Sequence, residues 1–188
     1  MAATMRATVF VEPNRIELQE RPIPTVGPLD ALVRISTTTI CGTDVHILKG
    51  EYPVRSGLII GHEPVGVIEK LGAAVQGYRE GQRVVAGAIT PSGYSSACLS
   101  GSWSQDGAGT AHGWKPIGGW KFGNTIDGCQ ADCVLVPDAM ANLALVPELS
   151  LRVRSRLLGF EIVVNCTERL DRITVLRQVC EGDRRADS

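Results

Sequence analysis

The chain has almost no net charge, few aromatic residues and no long apolar run, and each shortage removes a class of function. Its 188 residues carry 19 Lys+Arg against 20 Asp+Glu, a formal net charge of −1. So even a balance gives no footprint for nucleic acid or an anionic membrane, and neither is expected as a partner. No stretch of apolar residues reaches the roughly 18 that a spanning helix needs. The opening Met1-Ala-Ala-Thr-Met5 lacks the charged-then-apolar order of a secretory signal, so the expected location is cytoplasmic. The six cysteines, at 41, 98, 129, 133, 166 and 180, are then expected to be reduced thiols rather than a disulfide framework. Cys129 and Cys133 are too widely spaced for Cys-x-x-Cys and read as packing residues. Aromatic content is 5%; the hydrophobic share of 44% and charged share of 21% are those of an ordinary globular protein. The length suits one core with an appendage and leaves no room for two full domains.

What is present first reads as short strands separated by turns. Residues 6–11 and 15–19 flank Glu12-Pro13-Asn14 and predict a hairpin. Pro22, Pro24 and Pro28 hold an extended linker. Residues 31–36 alternate like a strand and run toward Cys41, which is expected in a loop just past the strand end. Residues 64–72, 83–86, 131–136 and 143–146 complete the set, with Gly66 marking a bulge or a close backbone approach. Many short strands at this spacing predict a mainly β fold, a closed or nearly closed barrel. Residues 89–128 form a long irregular insertion rich in Gly, Ser and Trp, of the kind that is often functional. Within it, Gly107-Ala-Gly109-Thr-Ala-His112-Gly113 resembles a dinucleotide-binding glycine run only superficially. The last glycine comes one place late and no strand precedes it, so a plain loop with a solvated His112 is expected.

Chemistry concentrates in two segments, Cys41-Gly42-Thr43-Asp44-Val45-His46 and Gly61-His62-Glu63-Pro64-Val65-Gly66. Cys, His and Glu are ligand types that suit Zn2+, and three protein ligands with one open position describe a catalytic zinc. The Thr43 hydroxyl and the His46 ring can then move a proton at the open position. A metal site with a proton path is what alcohol oxidation requires.

These two segments resemble the catalytic-zinc motifs of the zinc-dependent, medium-chain alcohol dehydrogenases. Gly61-His62-Glu63 is followed by Gly66, Gly72 and Val75, which matches the family's zinc signature. Gly119-Trp120-Lys121-Phe122-Gly123-Asn124 and Asn142-Leu143-Ala144-Leu145-Val146-Pro147 are similar to its secondary-alcohol (isopropanol dehydrogenase-like) branch. The resemblance runs from about residue 5 to residue 148. It implies a GroES-like β-barrel for 1–148, with Cys41 and His62 as zinc ligands and Glu63 as an alternating ligand or a close carboxylate. It further implies that Asp44 orients the ligand histidine, Thr43 bonds the substrate oxygen, His46 passes its proton onward, and Trp120 forms a pocket wall. The implied cofactors are Zn2+ and NAD(P), and the implied substrate is a small alcohol or ketone, with a secondary alcohol favoured.

Three features depart from the family. Only Cys98 precedes Cys129 in the insertion, which excludes a structural zinc held by four closely spaced cysteines. No segment of 149–188 matches the family's third catalytic-zinc ligand, leaving Glu63, water or a tail residue such as Cys166 or Asp171. No Rossmann domain is found in this chain. Residues 151–188 hold eight arginines and no lysine, so 149–188 is expected to be a non-matching tail, either read out of frame or left by truncation, short α/β or disordered. Residues 160–164 read as a strand and 168–180 as a helix within it. The expected function is a truncated alcohol dehydrogenase catalytic domain, inactive by itself and needing a Rossmann-containing subunit. The competing expectation is a non-catalytic GroES-like module that binds a metal or a partner.

Overall fold

A computed structural model describes residues 3–106 and 118–146, together with the backbone of 162–165. In chain order its elements are β1 (Thr4–Glu12), β2 (Arg15–Pro22), β3 (Ala31–Ile40), α1 (Gly42–Leu48), β4 (Leu58–Ile59) and β5 (Val65–Leu71). They continue with β6 (Arg83–Ala86), α2 (Ser96–Leu99), a 3-10 turn (Trp103–Gln105), β7 (Cys133–Val136), α3 (Ala139–Asn142), β8 (Leu143–Leu145) and β9 (Ile162–Asn165). The predicted hairpin forms between β1 and β2, with Asn14 in the left-handed region at φ 66° to close the turn.

The strands fall into two sheets. One has the order β2-β1-β4; the other runs β7-β3-β5-β6-β8, with β9 added against β3. An Ala7–Ala131 bridge joins them, reinforced by the Thr8 amide donating to the Gln130 carbonyl at 2.8 Å and the Asp132 amide donating to the Arg6 carbonyl at 2.9 Å. Among the described residues the barrel is therefore two sheets meeting at a seam and not one continuous hydrogen-bonded ring.

β3 is the central strand. Ala31, Val33 and Ile35 face a core containing Ile68, Val84, Phe122 and Val136. Leu32 faces the opposite layer with Met5, Val9 and Ile59. Burial on both sides explains why Ala31-Leu32-Val33 is a continuous apolar run, where a half-buried strand would alternate. Gly66 lies opposite Ile35 beside a register shift, and a Cβ there would stand 2.2 Å from the Arg34 carbonyl oxygen. The expected close approach is thus present, and only glycine allows it.

Cys129 and Cys133 are buried in the two separate cores, as packing residues should be. Burial pushes the Cys129 thiol up to about 12 and the Cys133 thiol up to about 11. Cys41, Cys98, Cys129 and Cys133 are all free. The strand expected near 160–164 appears as β9, pairing antiparallel with Thr37–Ile40. The 107–113 segment with His112, the 168–180 helix, Cys166 and Asp171 lie outside the described residues. Among the described residues no helix is long and apolar enough to cross a membrane.

Candidate metal centre

β3 ends at Ile40 and α1 begins at Gly42, so Cys41 sits at the junction as the residue that caps the helix. The loop expected there is absent. What makes the helix is Asp44: its carboxylate accepts the Cys41 amide at 2.8 Å, while the Asp44 amide donates to the Cys41 carbonyl at 3.0 Å. This reciprocal bonding satisfies donors that a helix start would otherwise leave open. The sequence pattern hid it, because Cys is not a usual capping residue and Gly42, Val45 and Ile47 are poor helix formers. Ile47 anchors the helix in a core with Phe10, Val54, Leu58 and Ile60, against which Trp120 packs.

His62 and Glu63 lie on the connection between β4 and β5, which belong to different sheets. Gly61 makes that connection feasible: its φ is +95°, and a Cβ there would come within 2.8 Å of the Gln130 amide nitrogen. The Cys129 and Gln130 amides hold the segment, donating to the carbonyls of Gly61 at 3.1 Å and Ile60 at 2.9 Å.

The result is a convergence of donors. One ligand atom each from Cys41, His62 and Glu63 lie within 4.8 Å of one another. Ligands around a single tetrahedral zinc stand about 3.6 Å apart, given bond lengths of about 2.0–2.3 Å. The cluster therefore has the chemistry and nearly the spacing that such an ion takes. Behind it, His62 Nδ1 faces Asp44 Oδ1 at 3.7 Å, with both side chains buried. Burial pushes the Asp44 carboxyl up, opposed by the Cys41 amide and by His62. Thr43 Oγ1 is 3.6 Å from the Cys41 sulfur.

In front lies a cavity of about 310 Å3 lined by Thr43, Tyr52, His62, Ala88, Ile89 and Trp120. Trp120 meets His62 and Tyr52 edge-on, at centroid distances of 5.8 and 5.7 Å. His46 does not line this cavity. It stands half exposed behind Tyr52, ring to ring at 5.6 Å, paired with Glu51. Tyr52, Ala88, Ile89 and Glu51 were not anticipated. For Tyr52 and Glu51 the available signal is Gly50-Glu51-Tyr52-Pro53, a polar–aromatic turn directly after the first motif. Ala88 and Ile89 reach the site only through the Ile89–Trp120 bridge, a contact distant in sequence. A larger cavity, about 560 Å3, lies away from the cluster, against Met5, Pro24, Leu29, Ile59 and Cys133. None of the donor residues lines it.

Residues 27–148 match the model of a family described as the alcohol dehydrogenase GroES-like domain. The chain is 64% identical over 155 residues to an alcohol dehydrogenase of Cupriavidus necator, covering 79% of this chain and 42% of that one. It is 36% identical over 148 residues to the NADP-dependent isopropanol dehydrogenase of Entamoeba histolytica, covering 77% and 38%. Among solved structures it resembles zinc dependent alcohol dehydrogenase 2 from Streptococcus pneumonia, with a TM-score of 0.64 and 35% identity over 77% of this chain and 39% of that one. The chain thus spans about 40% of the length of the curated relatives it matches.

Proposed function

Because this chain belongs to the alcohol dehydrogenase GroES-like domain family, we propose that it forms the metal- and substrate-holding part of a zinc-dependent alcohol dehydrogenase. The substrate class is a small, preferably secondary, alcohol or its ketone. Residues 1–148 make up this catalytic domain, and a Rossmann-type domain or subunit carries the NAD(P). One observation supports the reading above all others: the thiol of Cys41, the imidazole of His62 and the carboxylate of Glu63 converge within 4.8 Å, and His62 among them lines a cavity.

Cys41, His62 and Glu63 are the residues that would hold the ion. Asp44 faces Nδ1 of His62 at 3.7 Å, which assigns Nε2 to the metal; a hydrogen bond closing that gap would fix the ring's tautomer. When bound, zinc supplies a Lewis acid that lowers the pKa of a hydroxyl it contacts, and the nicotinamide supplies the hydride acceptor. This chain's own contribution is to place the substrate and remove its proton. Thr43 lines the cavity and accepts the hydrogen bond of the substrate hydroxyl. His46, further out, carries the proton to solvent. Trp120 and Tyr52 form aromatic walls, and Ile89 an apolar one, that exclude water and fit the alkyl groups of a small alcohol.

Elemental analysis tests the metal directly. One zinc per purified chain is expected, lost in Cys41→Ala; a metal-free wild type, or a mutant that binds as well, contradicts the assignment. Turnover of simple secondary alcohols is expected only when a matching Rossmann domain is supplied in trans, and NAD(P)H formation by the 188-residue chain alone would refute that division of labour.

A further inference from the structure

Glu51 has no role in the site as described so far, yet the fold delivers it to His46 by a specific device. α1 ends at Leu48 and closes with paired bonds: the Gly50 amide donates to the Ile47 carbonyl at 2.9 Å, and the Glu51 amide donates to the His46 carbonyl at 2.9 Å. This is the six-to-one and five-to-two pattern of a Schellman turn, and Gly50 occupies its left-handed position at φ 77°. Such a turn folds the chain back over the last helical turn. It therefore brings the Glu51 side chain to the ring of His46, where its carboxylate Oε2 contacts Nδ1. The hydrogen bond with His46 holds the Glu51 carboxyl below its usual range, aided by the charges of His46 and Lys49. The next residue, Tyr52, also meets the ring of His46, edge-on.

We infer that Glu51 is the positioning residue for His46, accepting a hydrogen bond from Nδ1–H so that Nε2 is the ring nitrogen left to take up a proton. A ring nitrogen's tautomer is set by the hydrogen bond its partner nitrogen makes. His46 exchanges a proton with solvent, so its ring would otherwise divide between tautomers. Glu51 removes that loss. The inference rests on the proposed role of His46 as the proton carrier and identifies what keeps that ring ready.

The full 188-residue chain, labelled with 15N at its imidazoles, tests this without turnover. Long-range 1H–15N spectra taken where the ring is neutral should show His46 as the Nδ1–H tautomer in the wild type. Glu51→Ala should move it to predominantly Nε2–H, and Glu51→Gln, whose amide oxygen still accepts, should largely restore the wild-type tautomer. Carbethoxylation of His46 by diethylpyrocarbonate, followed by peptide mass, should slow several-fold in Glu51→Ala. An unchanged tautomer or an unchanged modification rate in Glu51→Ala overturns the inference. Zinc content measured on the same samples reads the proposed function separately: a metal-free wild type whose tautomer still responds to Glu51→Ala overturns that function and leaves the Glu51–His46 pairing standing.

Discussion

Lys121 and Asp106 are 2% and 3% exposed, and their ammonium and carboxylate groups stand 3.4 Å apart. Two charges are removed from water here only because each is answered. Asp106 also accepts the Ser92 amide at 2.6 Å and the Ser92 hydroxyl at 3.1 Å. Burial alone would raise its pKa, but the Ser95 and Ser92 hydroxyls, the Ser92 amide and Lys121 outweigh it and hold the carboxyl well below the usual range. Since Lys121 follows Trp120 directly, this pair ties the Ser92–Asp106 part of the insertion to the aromatic wall of the site. Removing one partner of a buried pair leaves the other charge uncompensated, so Lys121→Ala should destabilise the fold by about 3–5 kcal/mol in urea unfolding. A loss no larger than that of an exposed lysine would contradict this. The pH dependence follows from the depressed pKa. The stabilisation by Asp106 is present above the unfolded value of about 3.9 and is lost as pH falls toward the lower folded value. The Tm gap between wild type and Asp106→Asn should therefore hold steady near neutrality and shrink as pH falls below about 4. A gap that widens in acid would reverse the sign of the argument.

At the scale of the element, α1 does two things with one carboxylate. Asp44 closes the helix start on the Cys41 amide and backs His62 at 3.7 Å, so the helix cap and the metal cluster share a part. Asp44→Ala should weaken zinc binding by about 10–100-fold, the usual cost of losing a carboxylate behind a ligand histidine. Asp44→Asn keeps an acceptor for the Cys41 amide and should lose less helix stability than the alanine variant. Chelator competition reads the first quantity and thermal unfolding the second; equal zinc affinity in wild type and Asp44→Ala would remove Asp44 from the site. The same element marks where sequence reading stopped. The spacing of Cys41, Thr43, Asp44 and His46 was visible, but the helix that arrays them was not, because its stability comes from Ile47 docking in a core and from an unusual cap. Tertiary packing overrode local propensity. Glu51 was missed for a related reason: its approach to His46 depends on a helix-ending turn, and the helix itself had not been recognised.

For the whole molecule, the strands were legible because their apolar residues and bounding Gly and Pro positions are local signals. The pairing of those strands into two sheets was not, since Ala7 meets Ala131 across most of the described chain. That seam matters to the site. Cys41 follows β3 in the larger sheet, whereas His62 and Glu63 lie on the passage from β4 in the smaller sheet to β5 in the larger. An ion gripping all three would pin this passage against the end of β3, and so add a fastening to the Ala7–Ala131 bridge and to the Cys129 and Gln130 amide bonds. Anything that binds the folded state and not the unfolded one raises stability by mass action, about 2.7 kcal/mol at a free concentration of 100 times Kd. For a chain of this size each kcal/mol moves Tm by about 2–4 °C. Zinc at that concentration should therefore raise the wild-type Tm by on the order of 5–10 °C. Cys41→Ala should show little of this shift, while Glu51→Ala, which leaves the three donors in place, should show all of it. A Tm indifferent to zinc in a chain that demonstrably binds the ion would mean that the unfolded chain holds it as tightly, so that the three donors are not a site assembled by the fold.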